Sequence, residues 1–307
     1  MRILFMGTPD FAVPCLDSLI KAGHNIVAVI TQPDKPQGRK MKLTPPPVKE
    51  LAISNNIEVY QPETLKNDAI KELLENKQPE LIVVVAYGKI LPKYVLDFAK
   101  YGCINVHGSI LPRWRGAAPI QWSIISGDET AGVTTMKMSE GLDTGDMLLK
   151  YETKIGESET AGQLFDRLSQ QGANLLCKTI EQIDIIIPQK QDESKANYAH
   201  MLDKQMAQID WNKSNKQIDC LIRGLNPWPI ALTTLNGEKL KIYSAKLYNA
   251  SGKAGEVLQA DSKTGLIVAC GEGAMLIEEI QATSGKRMNA KDYLRGHKIE
   301  VGSILGV

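Results

Sequence analysis

From residue 3 to about Pro188, short apolar runs rich in β-branched residues alternate with amphipathic stretches. Residues 3–6, 26–31, 58–60, 81–86, 102–106 and 132–138 read as strands, and several are apolar throughout, as strands buried on both faces are. Residues 14–22, 66–76 and 161–187 carry helical spacing. A chain that alternates in this way folds as an α/β domain around a twisted, mostly parallel, Rossmann-like sheet. At 307 residues, it is also long enough for a second domain.

The texture changes further on. Residues 190–207 are polar without a strong period and read as a linker, which places an α/β domain at 1–189 and a second domain at 208–307. There a short helix at 214–224 precedes strand-like runs at 231–234, 240–248, 255–259, 265–269 and 275–281, separated by Gly or Asn turns. Five short strands in about a hundred residues suit a small OB-like β-barrel.

Charge divides unevenly between the two. The net charge is +1, but from Gln208 onward 13 Lys plus Arg face 10 Asp plus Glu, so the second domain is mildly basic. A uniformly basic coat protein is excluded, whereas a local basic face is not. Two runs stand out: 35–49, with Lys35, Arg39, Lys40, Lys42 and Lys49 and no acid, and 286–298, with five cations against Asp292. The first also carries Pro36, Gly38 and the triplet Pro45, Pro46, Pro47, which reads as a long exposed loop over 34–49 able to hold a polyanion. Ordinary solvated lysines explain each run equally well when it is taken alone.

No apolar run approaches the roughly 20 residues that span a bilayer, and no leader is evident, so a cytoplasmic protein without membrane contact is expected. The five cysteines are scattered, with no CxxC pair and no His at ligand spacing; they read as reduced core thiols, and no metal site is expected. With no exposed heptad or long apolar edge, a monomer is expected.

Residues 102–146 hold the chemistry. A strand ending in Asn105, Val106, His107 puts Asn105 and His107 on one face, because side chains alternate with period two. Gly108 and Ser109 end it at the carboxyl edge, where open α/β sheets keep their sites. Asn offers a neutral amide donor and His a donor or proton shuttle, a pair suited to an oxyanion that develops during acyl transfer. A carboxylate is needed to orient the imidazole; Asp143, in the turn GLDTGD, is the first candidate and Asp146 the second. On spacing alone, the same pair also suits a strand end that only satisfies loop backbone groups.

The extended string decides between these readings. NVHGSILPRWRGAAPIQW and GLDTGDML closely resemble the signature of the formyltransferases that use 10-formyltetrahydrofolate. MRILFMGTPDFAVPCL, QPDKPQGRKMKLTPPPVK, VVVAYGKILP and GLNPWP extend the resemblance over nearly the whole chain, toward the branch of that family acting on methionyl-initiator tRNA. It implies that Asn105 and His107 hold the formyl oxygen and Asp143 supports His107. The turn Ser109, Ile110, Leu111, Pro112 would form part of the folate site, with Tyr87 and Gly88 lining it; 10-formyltetrahydrofolate would be a cosubstrate. Phe11 would wall the methionyl group or serve as core, and Arg39, Lys40 and Lys42 would meet the tRNA acceptor end. The chain departs from the family in two places: Ile110 stands for the usual Leu, and Ile230 replaces the Gly that usually follows GLNPWP, which puts that turn in doubt.

Two other readings compete. A nicotinamide dehydrogenase needs three glycines where GTPDFAVP has one, and Pro9 and Pro14 fall in the turn. A non-catalytic RNA binder has no use for an Asn, His and Asp cluster.

Overall fold

The computed structural model describes residues 1–38 and 41–306, apart from the Gln37 side chain. The chain divides into two compact units: residues 1–119, 131–153 and 165–199 form the first, and 120–130, 154–164 and 200–307 the second.

The first unit holds a seven-stranded sheet in the order Met147–Lys154, Thr130–Lys137, Cys103–His107, Leu81–Val85, Arg2–Gly7, Asn25–Ile30, Val59–Tyr60. Leu81–Val85 is buried at every position, as its run LIVVV requires of a central strand. Arg2–Gly7 pairs in parallel with both Asn25–Ile30 and Leu81–Val85, and this is where successive strands turn from one side of the sheet to the other. Thr8 Oγ donates to the Tyr87 carbonyl across the carboxyl ends of these two strands, 3.4 Å away. Such a switch point leaves a crevice outside the strand ends. Cys103–His107 lies parallel to Leu81–Val85 and antiparallel to Thr130–Lys137, with His107 opposite Thr134.

Helix Val13–Lys21 follows the first strand, with a proline in its first turn where the missing N–H costs nothing. It buries Cys15, Leu16 and Leu19. On either side of residues 39 and 40, the 34–49 stretch is more ordered than its prolines suggest. Lys35–Gln37 and Lys42–Thr44 pair antiparallel, and Pro47 starts helix Pro47–Ser54. Lys49, on that helix, bonds both Asp34 oxygens at 2.8 Å and Gln61 at 2.8 Å. Lys49 and then Gln61 hold the Asp34 carboxyl below its usual range.

In the second unit, an antiparallel sheet runs Ala231–Leu235, Glu238–Tyr248, Ala274–Ala282, Gly265–Ala269, Val257–Asp261. These are the five strand-like runs of the sequence; among the described residues, no ladder joins the two end strands. The long central pairing shifts register around Ser244, as a bent strand does at a bulge. Helix Asn215–Gly224 begins with a capping box in which Ser214 Oγ accepts from Gln217 N and Gln217 reaches back to Ser214 N. Its apolar face buries Ile218 and Ile222 in the same core as Trp211, Ile242 and Ile277. No helix among the described residues is long and apolar enough to cross a membrane.

Candidate active site

Cys103–His107 is buried along its whole length, so its two polar side chains sit at the strand end at the expense of their hydration. Asn105 is 8% and His107 6% exposed. Among the described residues, no group hydrogen-bonds the Asn105 side-chain amide, and a polar side chain so placed is poised for a ligand. His107 Nε2 lies 2.8 Å from the Trp114 carbonyl. A carbonyl only accepts, so this nitrogen carries a proton. Nδ1 faces Asp143 Oδ2 at 3.6 Å, and the neighbouring Asp146 meets the sheet through its carbonyl, which accepts from Lys137 N. A neutral ring donates to one of these acceptors and an imidazolium to both.

Asp143 is presented by the GLDTGD turn. Its φ of 53° lies in the left-handed region, and its Oδ2 also accepts the Gly116 amide at 2.8 Å. Gly145 fits this turn because a Cβ there would sit 1.7 Å from the Lys137 carbonyl.

The Ser109–Pro112 turn is fastened to the sheet. Ser109 Oγ donates to the Arg113 carbonyl at 2.7 Å, and Thr134 Oγ bridges the Ser109 carbonyl and the Leu111 amide. Leu111 is wholly buried with Met136 and Met147, which leaves Ile110 and Pro112 as the turn's partly exposed side chains. Lys150 donates to the Leu111 carbonyl at 2.7 Å, and burial lowers its pKa.

Tyr87 lies within the core, where burial and then Tyr94 push its phenol up to about 12; its hydroxyl has no partner among the described residues. Gly88 follows at φ 80°, and Gln32 Nε2 donates to the Tyr87 carbonyl at 3.0 Å. Phe11 is buried edge-on against Phe165, their centroids 5.2 Å apart. Lys42 stands exposed on the hairpin, while Arg39 and Lys40 lie outside the described residues. Among the described residues, no cluster of His, Cys, Asp and Glu fit to hold a metal is found.

Sequence reasoning did not reach Thr134, Lys150, Gln191 or Asn197. Their signals are single polar residues with no motif, and their partners lie 23 to 83 residues away along the chain. Arg115 meets Glu193, 78 residues further along the chain, at 2.7 Å.

Residues 1–180 match the Formyl transferase family and residues 201–298 its C-terminal domain. A methionyl-tRNA formyltransferase of Clostridium novyi (strain NT) is 51% identical over 310 residues, covering 99% of this chain and 100% of that one. Among solved structures, an N-formyltransferase from Helicobacter canadensis, in complex with folinic acid and dTDP-3-aminofucose, aligns over 94% of this chain and 100% of its own, with a TM-score of 0.68 at 20% identity. HypX from Aquifex aeolicus, in complex with tetrahydrofolic acid, aligns over 98% of this chain with a TM-score of 0.61 at 17% identity, and this chain spans 50% of its length. At such identities the two structures show a shared fold. With a family match over more than half its length and a full-length relative at 51% identity, the chain belongs to the formyl transferase family, among the methionyl-tRNA formyltransferases.

Proposed function

We propose that the chain transfers the formyl group of 10-formyltetrahydrofolate to the α-amino group of methionyl-initiator tRNA, working as a cytoplasmic monomer. The observation that carries this reading is the buried Asn105 amide, without a hydrogen-bond partner among the described residues, beside a His107 flanked by Asp143 on one strand end. The nucleophile is the substrate's own amine. Its attack on a formyl carbon puts negative charge on the formyl oxygen, to which Asn105 donates, while His107, its Nε2–H held by the Trp114 carbonyl, stands beside it and adds positive charge once protonated. Losing one such preorganised donor costs about 10²- to 10³-fold in turnover.

A proton must also leave the amine and reach the departing nitrogen. With Nε2 already protonated, His107 takes it on Nδ1, beside the Asp143 carboxylate that stabilises the imidazolium, and returns it to the folate nitrogen as the bond from the formyl carbon to that nitrogen breaks. No covalent enzyme intermediate is required, and no cysteine takes part. The Ser109–Pro112 turn with Tyr87 and Gly88 contacts the folate. Arg39, Lys40 and Lys42 meet the acceptor end of the tRNA, and residues 208–307 lie against its backbone. Phe11, packed on Phe165, shapes the wall beside the methionyl group from within the core.

The acceptor is tested directly. Given the formyl donor, the chain should formylate methionyl-initiator tRNA at least a hundredfold faster than an amino-sugar nucleotide. The reverse preference would keep the fold and overturn the substrate.

A further inference from the structure

Both partners of His107 depend on one strand of chain that carries none of the catalytic motif. Residues 189–199 run beside the site as a strap. At one end, Gln189 and Met147 exchange two backbone hydrogen bonds of 2.8 Å. Gln191 then donates from its amide to the carbonyls of Asp143 and Gly145, at 2.7 and 2.8 Å. Its own carbonyl oxygen accepts from Arg115 Nε and Nη2 at 3.1 and 2.9 Å. Arg115 is wholly buried and also grips Glu193 with two bonds. Further on, Asn197 Oδ1 accepts the Trp114 amide at 2.5 Å, and the Asn197 carbonyl accepts the Arg115 amide at 3.0 Å. The Ala199 carbonyl closes the strap on the Ala117 amide, where a Cβ on Gly116 would stand only 2.8 Å from that oxygen.

The backbone shows why such a strap is needed. The two residues that flank His107, Trp114 and Asp143, have φ of 61° and 53°, a region that a side chain larger than glycine enters at a cost. Neither conformation holds by itself. Gln191 fixes the turn that aims the Asp143 carboxylate, and Asn197 fixes the peptide whose carbonyl selects the Nε2–H form of His107.

We propose that Gln191 and Asn197 are positioning residues for the reaction, acting through Asp143 and Trp114 to set the orientation and tautomer of His107. This rests on the reading that His107 moves the proton.

The test uses the full chain. Gln191→Met keeps the length and loses the two donated and two accepted bonds; Asn197→Leu loses the acceptor, and Asn197→Asp restores it. Gln191→Met and Asn197→Leu should lower kcat for formyl transfer 10- to 100-fold with KM for both substrates within twofold, while Asn197→Asp should recover to within threefold of the wild type. Nitrogen-15 spectra of the His107 ring should show Nε2–H in the wild type and in Asn197→Asp, and a mixture of tautomers in Asn197→Leu. An unchanged kcat, a change confined to KM, an Asn197→Asp no better than Asn197→Leu, or an unchanged tautomer would each overturn the proposal. If the wild type transfers no formyl group, the functional reading fails, and the spectra still decide whether the strap sets the ring.

Discussion

At the scale of single residues, local geometry made a candidate strand legible, and the family resemblance chose it over the reading of a plain strand end. Period-two alternation put Asn105 and His107 on one face, and two glycines marked the turn that carries Asp143, so three positions could be named from one segment. Gln191 and Asn197 gave no such signal, because they act through bonds to residues 46 to 83 positions away in a stretch without periodicity. Ile230 was flagged as standing where the family has Gly, and it takes φ 73° while 5% exposed. A β-branched residue there pays for a left-handed backbone that glycine enters freely. Ile230→Ala keeps much of that cost and loses packing worth about 2–5 kcal/mol. Ile230→Gly should therefore be the more stable of the two variants by about 1 kcal/mol, the reverse of the usual order of alanine and glycine. Urea unfolding of both settles it; the ordinary order would mean that the turn carries no strain.

At the scale of elements, the central strands and the five strands of the second unit were legible because apolar runs and turn residues bound each of them. Helix Pro47–Ser54 was not. Its triple proline reads as a loop, yet Pro46 at the N-cap and Pro47 in the first turn are also a helix start. Strand Met147–Lys154 was missed because its apolar run ends after Leu149, beyond which exposed and partly buried positions alternate. The basic hairpin that precedes helix Pro47–Ser54 belongs to tRNA binding in this account. Removing Arg39 and Lys42 together to alanine should lower the slope of log affinity for methionyl-tRNA against log salt by about 2, since each phosphate contact contributes about one unit. Titrations between low and moderate salt measure it, and an unchanged slope would remove the hairpin from the interface.

For the whole molecule, thiols and a phenol buried in both units predict how stability responds to alkali. Burial pushes Cys103, Cys270 and Tyr87 each up to about 12. Because the folded chain holds these protons more tightly than the unfolded one, their stabilising contribution is complete below pH 9 and is lost as pH rises toward 12. The melting temperature should hold steady to about pH 9 and then fall, and Tyr87→Phe should fall less steeply above pH 10. A melting temperature that stays level to pH 12 would contradict these protonation states. The catalytic account has a more direct test: single-turnover formyl transfer from 10-formyltetrahydrofolate to methionyl-initiator tRNA by the wild type and by His107→Asn. The account predicts prompt transfer by the wild type and a rate at least 10²-fold lower in the variant with substrate affinity retained, whereas a variant within threefold of the wild type would take His107, and the strand that presents it, out of the chemistry.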